Sequence, residues 1–171
     1  HFVVCKQIQR ITQRMSERKY WLCKSEPENY SIDQLQIDGR TPWDGVRNYA
    51  ARNFMRDEMK TGDGCFFYHS NQKPPAIVGV MEVCTEAYPD KLQFDPSSKY
   101  FDKKSIESDP RWVNVDMQFL AKLETPVNRD MLKAAPELQN MELFRLGRLS
   151  ITPVTEAEWI KIHDLAGITP F

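Results

Sequence analysis

The sequence predicts an α+β fold organised around a small mixed β-barrel, and three observations carry that expectation. Short β-type runs recur without the regular strand–helix alternation of a doubly wound sheet. Two capping-box patterns set short helices between and after them. A long irregular stretch interrupts the middle of the chain. With 171 residues, 41% of them hydrophobic and 27% charged, the composition suits one globular domain. We expect that domain to cover residues 20–171, with no internal repeat.

Taken in order, the first nineteen residues stand apart. Lys6, Arg10, Arg14, Arg18 and Lys19 face the single acid Glu17, a local balance of +4 that leaves −5 for residues 20–171. Val4, Ile8, Ile11 and Met15 recur at helical spacing, so this basic segment has the pattern of an amphipathic helix. Scarce serine argues against a transit peptide. Met15-Ser16-Glu17-Arg18-Lys19 reads as a natural start, with residues 1–14 an upstream extension; residues 1–19 as a whole are read as a basic N-terminal extension outside the domain, non-native or disordered.

Tyr20-Trp21-Leu22-Cys23-Lys24 is a short apolar run closed by Ser25-Glu26-Pro27, the pattern of a first strand entering a loop, with Tyr20 and Trp21 as packing residues. Ser31-Ile32-Asp33-Gln34 has the form of a capping box and opens a short helix. A second helix covers about 49–60 and ends at Thr61-Gly62-Asp63-Gly64. Strands follow at 65–69 and 77–86, the latter holding Gly79, which marks a bulge or a close backbone approach. Residues 88–111, with Pro89, Pro96 and Pro110 among Asp, Ser and Lys, form an irregular excursion. Val113, Val115, Met117, Phe119, Ala121 and Leu123 then alternate with polar residues, the clearest strand in the chain. Short helices start at Asn128 and Glu137. Leu149-Ser150-Ile151 is the last strand, and the Thr155-Glu156-Ala157-Glu158 capping box opens a terminal helix to about residue 165.

Bulk chemistry excludes several function classes. Lys+Arg at 23 against Asp+Glu at 24 gives a net charge of −1, so no global basic field exists to drive salt-sensitive coating of a duplex. Any nucleic-acid contact must be local. Cys5, Cys23, Cys65 and Cys84 are widely spaced, without a CxxC pair or neighbouring histidines, and read as free, mostly buried thiols of a reducing intracellular compartment rather than zinc ligands. The apolar runs fall well short of the ~20 residues of a membrane span.

The richest chemistry lies in Trp43-Asp44-Gly45-Val46-Arg47-Asn48-Tyr49-Ala50-Ala51-Arg52-Asn53-Phe54 and in Phe67-Tyr68-His69-Ser70-Asn71. Both runs set aromatic faces beside amide, hydroxyl, imidazole and guanidinium groups, the mixture that holds a flat, hydrogen-bonding ligand such as a nucleobase. Taken with Tyr20 to Pro27, Ile77-Val78-Gly79, Val115 to Phe119 and Arg148-Leu149-Ser150-Ile151, they form six motifs in series that resemble the EVE domain family over about residues 20–165. The resemblance implies a PUA-like fold, an open mixed barrel of five or six strands flanked by helices. It also implies a non-catalytic module that holds an extruded, modified base of DNA or RNA in an aromatic pocket, with no cofactor, metal or membrane. A nuclear location is implied for a eukaryotic source and a cytoplasmic one for a bacterial source.

A base lifted from its stack loses stacking and pairing, and the protein must replace both. Trp43, Tyr68 and Tyr49 are the candidate faces, at about 1–3 kcal/mol per stacked base. Ser25, Asn48, His69, Ser70 and Asn71 are candidate edge contacts, and Lys24, Arg47 and Arg52 candidate phosphate contacts. Each has a structural rival. Trp43 can plug the barrel end, and His69 can be a satisfied core histidine. Arg47, Arg52 and Arg56 can form a solvated helix face beside Asp57. Asp116 can cap loop amides and pair with Arg148. Tyr68 and His69 are neighbours on a strand, so one is expected to point inward and the other outward. An alternative resemblance, to the ASCH hydrolases of modified cytidine, would recruit Lys24 with Glu26. A protein-interaction module with an aromatic groove is a third reading.

Overall fold

The computed structural model describes residues 2–8 and 18–171. Residues 2–8 form a helix (α1) exposed at every position. Ile11 and Met15 of the amphipathic pattern, and the Met15-Ser16-Glu17 part of the proposed start, lie outside the described residues. Arg18 and Lys19, grouped above with the extension, are tied to the folded unit. Arg18 donates to the carbonyls of Gly62 (2.8 Å) and Phe171 (2.7 Å), and the Lys19 N–H donates to Asp63.

A six-stranded mixed sheet, curled into an open half-barrel, runs in the order β2-β7-β4-β3-β1-β8. The strands are β1 (Tyr20–Ser25), β2 (Arg40–Pro42), β3 (Gly64–His69), β4 (Ala76–Val83), β7 (Asp116–Asn128) and β8 (Ile151–Val154). Among the described residues, β1 and β3 are the one parallel pair. β5 (Tyr88–Pro89) and β6 (Val113–Asn114) make a separate two-stranded ladder. Both edges of the large sheet are short strands carrying a proline, Pro42 on β2 and Pro153 on β8, which blunts them against pairing with another chain.

Helices cover both faces of the sheet. On one side α2 (Ile32–Asp38), α3 (Tyr49–Asn53) and the π-helical turn Phe54–Glu58 pack over Trp21, Cys23, Phe67 and Met81. On the other, α4 (Arg129–Ala134), α5 (Glu142–Arg145) and α6 (Glu156–Ala166) pack over Leu22, Phe66, Tyr68 and Ile77. The central strand β3 is consequently buried at all six positions. That corrects the expectation for Tyr68 and His69: their side chains do alternate, but a strand covered on both faces has no outward side, and both residues are buried.

Local chemistry explains the element ends. Thr155 and Glu158 form the complete reciprocal capping box, and Gly167 closes α6 in the left-handed region at φ 73°. At α2 only half of the expected box forms: Ser31 accepts from the Gln34 N–H, but the Gln34 side chain turns to Asp38. Gly79 fulfils both of its expectations. The register with β7 shifts between Ile77 and Gly79, and a Cβ there would collide with the Ile32 side chain and sit 2.9 Å from the Ala121 carbonyl.

The strand read at 113–123 is split at Val115 and runs on to Asn128. Opposite Val80 and Met81 the partners are Ala121 and Phe119, so Leu120 is the extra residue of a bulge. Beyond it the alternation inverts, and Leu123 joins the second core cluster while Met117 lies in the first. The strand read at 77–86 stops at Val83, and the last strand begins two residues late, at Ile151. The helix expected from Glu137 resolves into a 3₁₀ turn, Pro136–Leu138, and the four-residue α5.

Asp63 fastens the end of the sheet where β1 and β3 begin. Its carboxylate accepts from Trp21 Nε1 (3.0 Å) and from the N–H groups of Lys19 and Lys60. Tyr20 stacks on Trp159 at 4.6 Å, so both aromatic residues of the first motif pack as expected. At the opposite end β1 and β3 deliver Lys24, Ser25 and Ser70 to a set of loops, and there the candidate site lies.

Candidate functional site

A cavity of about 900 Å³ opens where β1 and β3 end, within the size range of small-ligand clefts. Five segments meet in it: residues 24–30 from the end of β1 onward, residues 41–48 from β2 to the start of α3, Ser70 just after β3, Lys99 and Tyr100 from the excursion, and residues 147–150 before β8. Its aromatic wall is Trp43. That ring is 93% buried at 7% exposure and held edge-on against Phe67, with centroids 5.4 Å apart at 90°. Trp43 thus fills the barrel end, as the plug reading expects, and also lines the cavity.

Asp90 shapes the loop that carries Trp43. Its fully buried carboxylate accepts from the Gly45 N–H (2.8 Å), from Arg47 Nη1 (2.9 Å) and from the Leu92 N–H (2.8 Å). Gly45 sits at φ 77°, where a side chain is disfavoured, and a Cβ there would meet the Tyr100 ring at 2.8 Å. The excursion is irregular but well tied. Gln93 is fully buried and bonds both the Trp112 N–H and the Trp112 carbonyl, as well as the Ser105 hydroxyl.

Of the eleven residues singled out from the sequence, six line the cavity: Lys24, Ser25, Trp43, Arg47, Asn48 and Ser70. Their bonding differs from expectation in four cases, the first being Ser25, whose hydroxyl donates to the Tyr30 carbonyl at 2.8 Å and keeps only acceptor capacity for a ligand. Asn48 spends its side-chain oxygen on the N-cap of α3, accepting from the Ala51 N–H, which leaves its amide N–H groups for a ligand. Arg47 is turned inward, donating to the Tyr100 and Val46 carbonyls and to Asp90, with Nη2 buried and unbonded. Lys24 donates to the Gly147 carbonyl at 2.8 Å, and burial, with the charge of Arg129, holds its pKa below that of an ordinary lysine.

The other five lie elsewhere. Tyr68 points to the opposite face of the sheet from Phe67 and Trp43, into the second core cluster, because successive side chains on a strand alternate. His69 is the satisfied core histidine: Nδ1 bonds the Ser25 carbonyl (3.2 Å), Nε2 accepts from the Ile32 N–H (3.4 Å), and burial lowers its pKa. Asn71 occupies the turn after β3 at φ 52°. Tyr49 stacks outside the cavity on Trp112, and Arg52 donates to the Arg111 carbonyl and to Asn53. Asp116 accepts from Tyr88 Oη and Arg40; it is no cap for loop amides, and Arg148, expected beside it, lines the cavity instead.

Besides Arg148, sequence reasoning missed four further contributors as site residues. Tyr30, Asp44, Lys99 and Tyr100 all line the cavity. Burial and a hydrogen bond to Asp38 push the Tyr30 pKa up to about 12. Burial, reinforced by the charge of Asp90, raises that of the Asp44 carboxyl. The cavity therefore combines an aromatic wall, a carboxyl, amide and hydroxyl groups, and four cations (Lys24, Arg47, Lys99, Arg148) against the acids Glu26 and Asp44. This is a local basic bias inside a chain of net charge −1.

Comparison with known proteins follows the same lines. A family model described as the EVE domain matches residues 19–165. Thymocyte nuclear protein 1 of Mus musculus is 42% identical over 170 residues, spanning 88% of this chain and 75% of the mouse protein. A hypothetical protein from Leishmania major superposes with a TM-score of 0.85 at 45% identity, covering 88% of this chain and 95% of its own. Human THYN1 protein, solved in complex with 5-methylcytosine-containing DNA, superposes with a TM-score of 0.83 at 40% identity, covering 89% and 99%.

Proposed function

The chain belongs to the EVE domain family, and we propose that it is a non-catalytic module that captures a modified nucleobase, extruded from a nucleic-acid strand, in the cavity walled by Trp43. The observation that carries this reading is the Trp43 ring. It is fixed by Phe67 and borders, with the 7% of its surface that stays exposed, a space rimmed by hydrogen-bonding groups. A flat base gains stacking from such a ring, and its edge needs donors and acceptors of the kind Ser25, Asn48, Ser70 and Asp44 carry. Lys24, Lys99 and Arg148 at the same cavity suit the flanking phosphates, which fix register without reading sequence. The 40%-identical human relative solved with 5-methylcytosine-containing DNA makes such DNA the first ligand to test.

Titration of oligonucleotides bearing 5-methylcytosine, 5-hydroxymethylcytosine or N6-methyladenine against plain sequences tests the reading. The expected result is a preference for one modified strand that Trp43→Ala removes, with a loss of about 1–3 kcal/mol. Because Trp43 is also core, Trp43→Phe serves as the companion that keeps the barrel end filled and retains part of the affinity. Equal binding of plain and modified strands by the wild-type protein would sink the reading.

One observation favours a second reading, a hydrolase acting on a modified nucleoside. Lys24 and Glu26 both line the cavity, and a lysine of lowered pKa is neutral, and so able to act as base or nucleophile, in a larger fraction at working pH than a free one. Turnover of an acylated cytidine that disappears in Lys24→Ala would establish it.

A further inference from the structure

Tyr49 lies just outside the cavity, next in sequence to the lining residue Asn48, and it is half exposed at 51%. Its inner face stacks on Trp112, with centroids 4.8 Å apart at 24°. Trp112 is itself fixed: it is 5% exposed, its indole N–H donates to Asp102 (2.9 Å), and its backbone is held on both sides by Gln93. The Arg47 guanidinium lies 5.4 Å from the Trp112 ring and 5.5 Å from that of Tyr100, a cavity residue. A continuous column of rings and a cation therefore runs from the cavity wall to Tyr49. Arg52 lies 4.6 Å from the Tyr49 ring and 5.9 Å from that of Trp112. A cation directly opposite Trp112 across Tyr49 would stand roughly twice the stacking distance from Trp112, so Arg52 lies off the line joining the two rings, and the 51% exposure of Tyr49 leaves ring surface open to a ligand. Among the described residues Arg52 bonds a carbonyl and an amide oxygen and forms no ion pair with a carboxylate.

We propose that Tyr49 is a second subsite for nucleic acid, a platform whose outer face takes the nucleobase adjacent to the captured one. The proposal rests on the base-capture reading above. When a base leaves its stack, its neighbour on the same strand also loses a stacking partner. A rigid aromatic ring at the rim of the capturing cavity replaces that partner, and stacking accepts any base because every base has a π-face. The neighbouring Arg52 charge suits the phosphate between the two nucleotides. The subsite thus adds affinity without sequence preference, and it explains a half-exposed aromatic backed by a fixed tryptophan.

The test is a double-mutant cycle between protein and ligand. Affinity is measured for an oligonucleotide carrying 5-methylcytosine, and for versions in which the 5′ or the 3′ neighbour is an abasic site. The proteins are wild type, Tyr49→Ala, Tyr49→Leu, which keeps apolar cover on Trp112 without an aromatic face, and Tyr49→Phe. The expected result is a loss of about fivefold to a hundredfold in the Ala and Leu variants on the intact strand. That loss vanishes when one particular neighbour is abasic, and Tyr49→Phe behaves as wild type. Equal affinity of all four proteins, or the same loss on intact and abasic strands, would overturn the platform while leaving base capture standing. A wild-type protein that does not distinguish the modified strand from a plain one would instead overturn base capture, and the platform with it.

Discussion

Removing the Asp90 carboxylate tests whether the site depends on one buried charge. In Asp90→Ala the Arg47 guanidinium, whose side chain is 20% exposed, loses its only ion-pair partner among the described residues, and the Gly45 and Leu92 N–H groups lose their acceptor. Breaking one side of a buried pair costs about 3–5 kcal/mol. We expect the low end, about 3 kcal/mol, because part of Arg47 still meets solvent and the nearby Asp44 carboxyl feels the same cation. Set against a typical total of about 5–15 kcal/mol, this is a large fraction. Urea unfolding followed by tryptophan fluorescence reads it as a lower midpoint at unchanged slope. Asp90→Asn keeps an acceptor and should lose roughly half as much. Arg47→Leu combined with Asp90→Leu should lose less than the sum of the single changes, since no uncompensated charge remains. The same variants should bind a modified strand more weakly, because the loop presenting Trp43 is no longer held. A cost under about 1 kcal/mol with unchanged affinity would refute the reasoning.

Two further outcomes follow from single features of the fold. Gly45→Ala should lose about 1–2 kcal/mol from its positive φ alone; it should also weaken ligand binding by displacing Tyr100, and adding Tyr100→Ala should recover part of the stability but none of the φ cost, as read by thermal melts of the two variants. His69 and His163 both have folded pKa values lowered by burial below the ordinary 6.5, so the unfolded chain binds protons more readily and stability rises with pH. Their contribution is complete above about pH 6.5 and is lost as the pH falls from there through the lowered values; a melting temperature that does not drop between pH 7.5 and 5.5 would contradict this.

The sequence showed the elements more clearly than the site, and particular residues show why. Period-two alternation exposed β7, and capping chemistry exposed α2 and α6, because both signals are local. The Leu120 bulge carried no such signal, and it decides which core cluster Leu123 joins. Tyr68 looked like a base-stacking ring because its neighbours in sequence are polar, yet alternation on a doubly covered strand sends it to the far side of the sheet. His69 sits one position further along and is consumed by two backbone contacts. Tyr100 was hidden in a proline-rich excursion, and only the fold brings it against Gly45. The Asp44-Gly45 pair was the available clue, since a glycine at positive φ often marks a close approach.

Arg18 and Phe171 meet beside Asp63, where the Arg18 guanidinium bonds the Phe171 carbonyl and the Trp159 indole adds a second donor to the same oxygen. The six residues of β1 put roughly 20 Å between that junction and the cavity mouth. Residues 18 and 171 are therefore close enough for a short glycine–serine bridge to join them into a ring. Reopening that ring in an exposed turn such as Lys103-Lys104 would give a circular permutant that keeps every strand pairing. A fluorophore or fusion partner attached at the junction would project from the face opposite the cavity, leaving the path of an incoming strand clear.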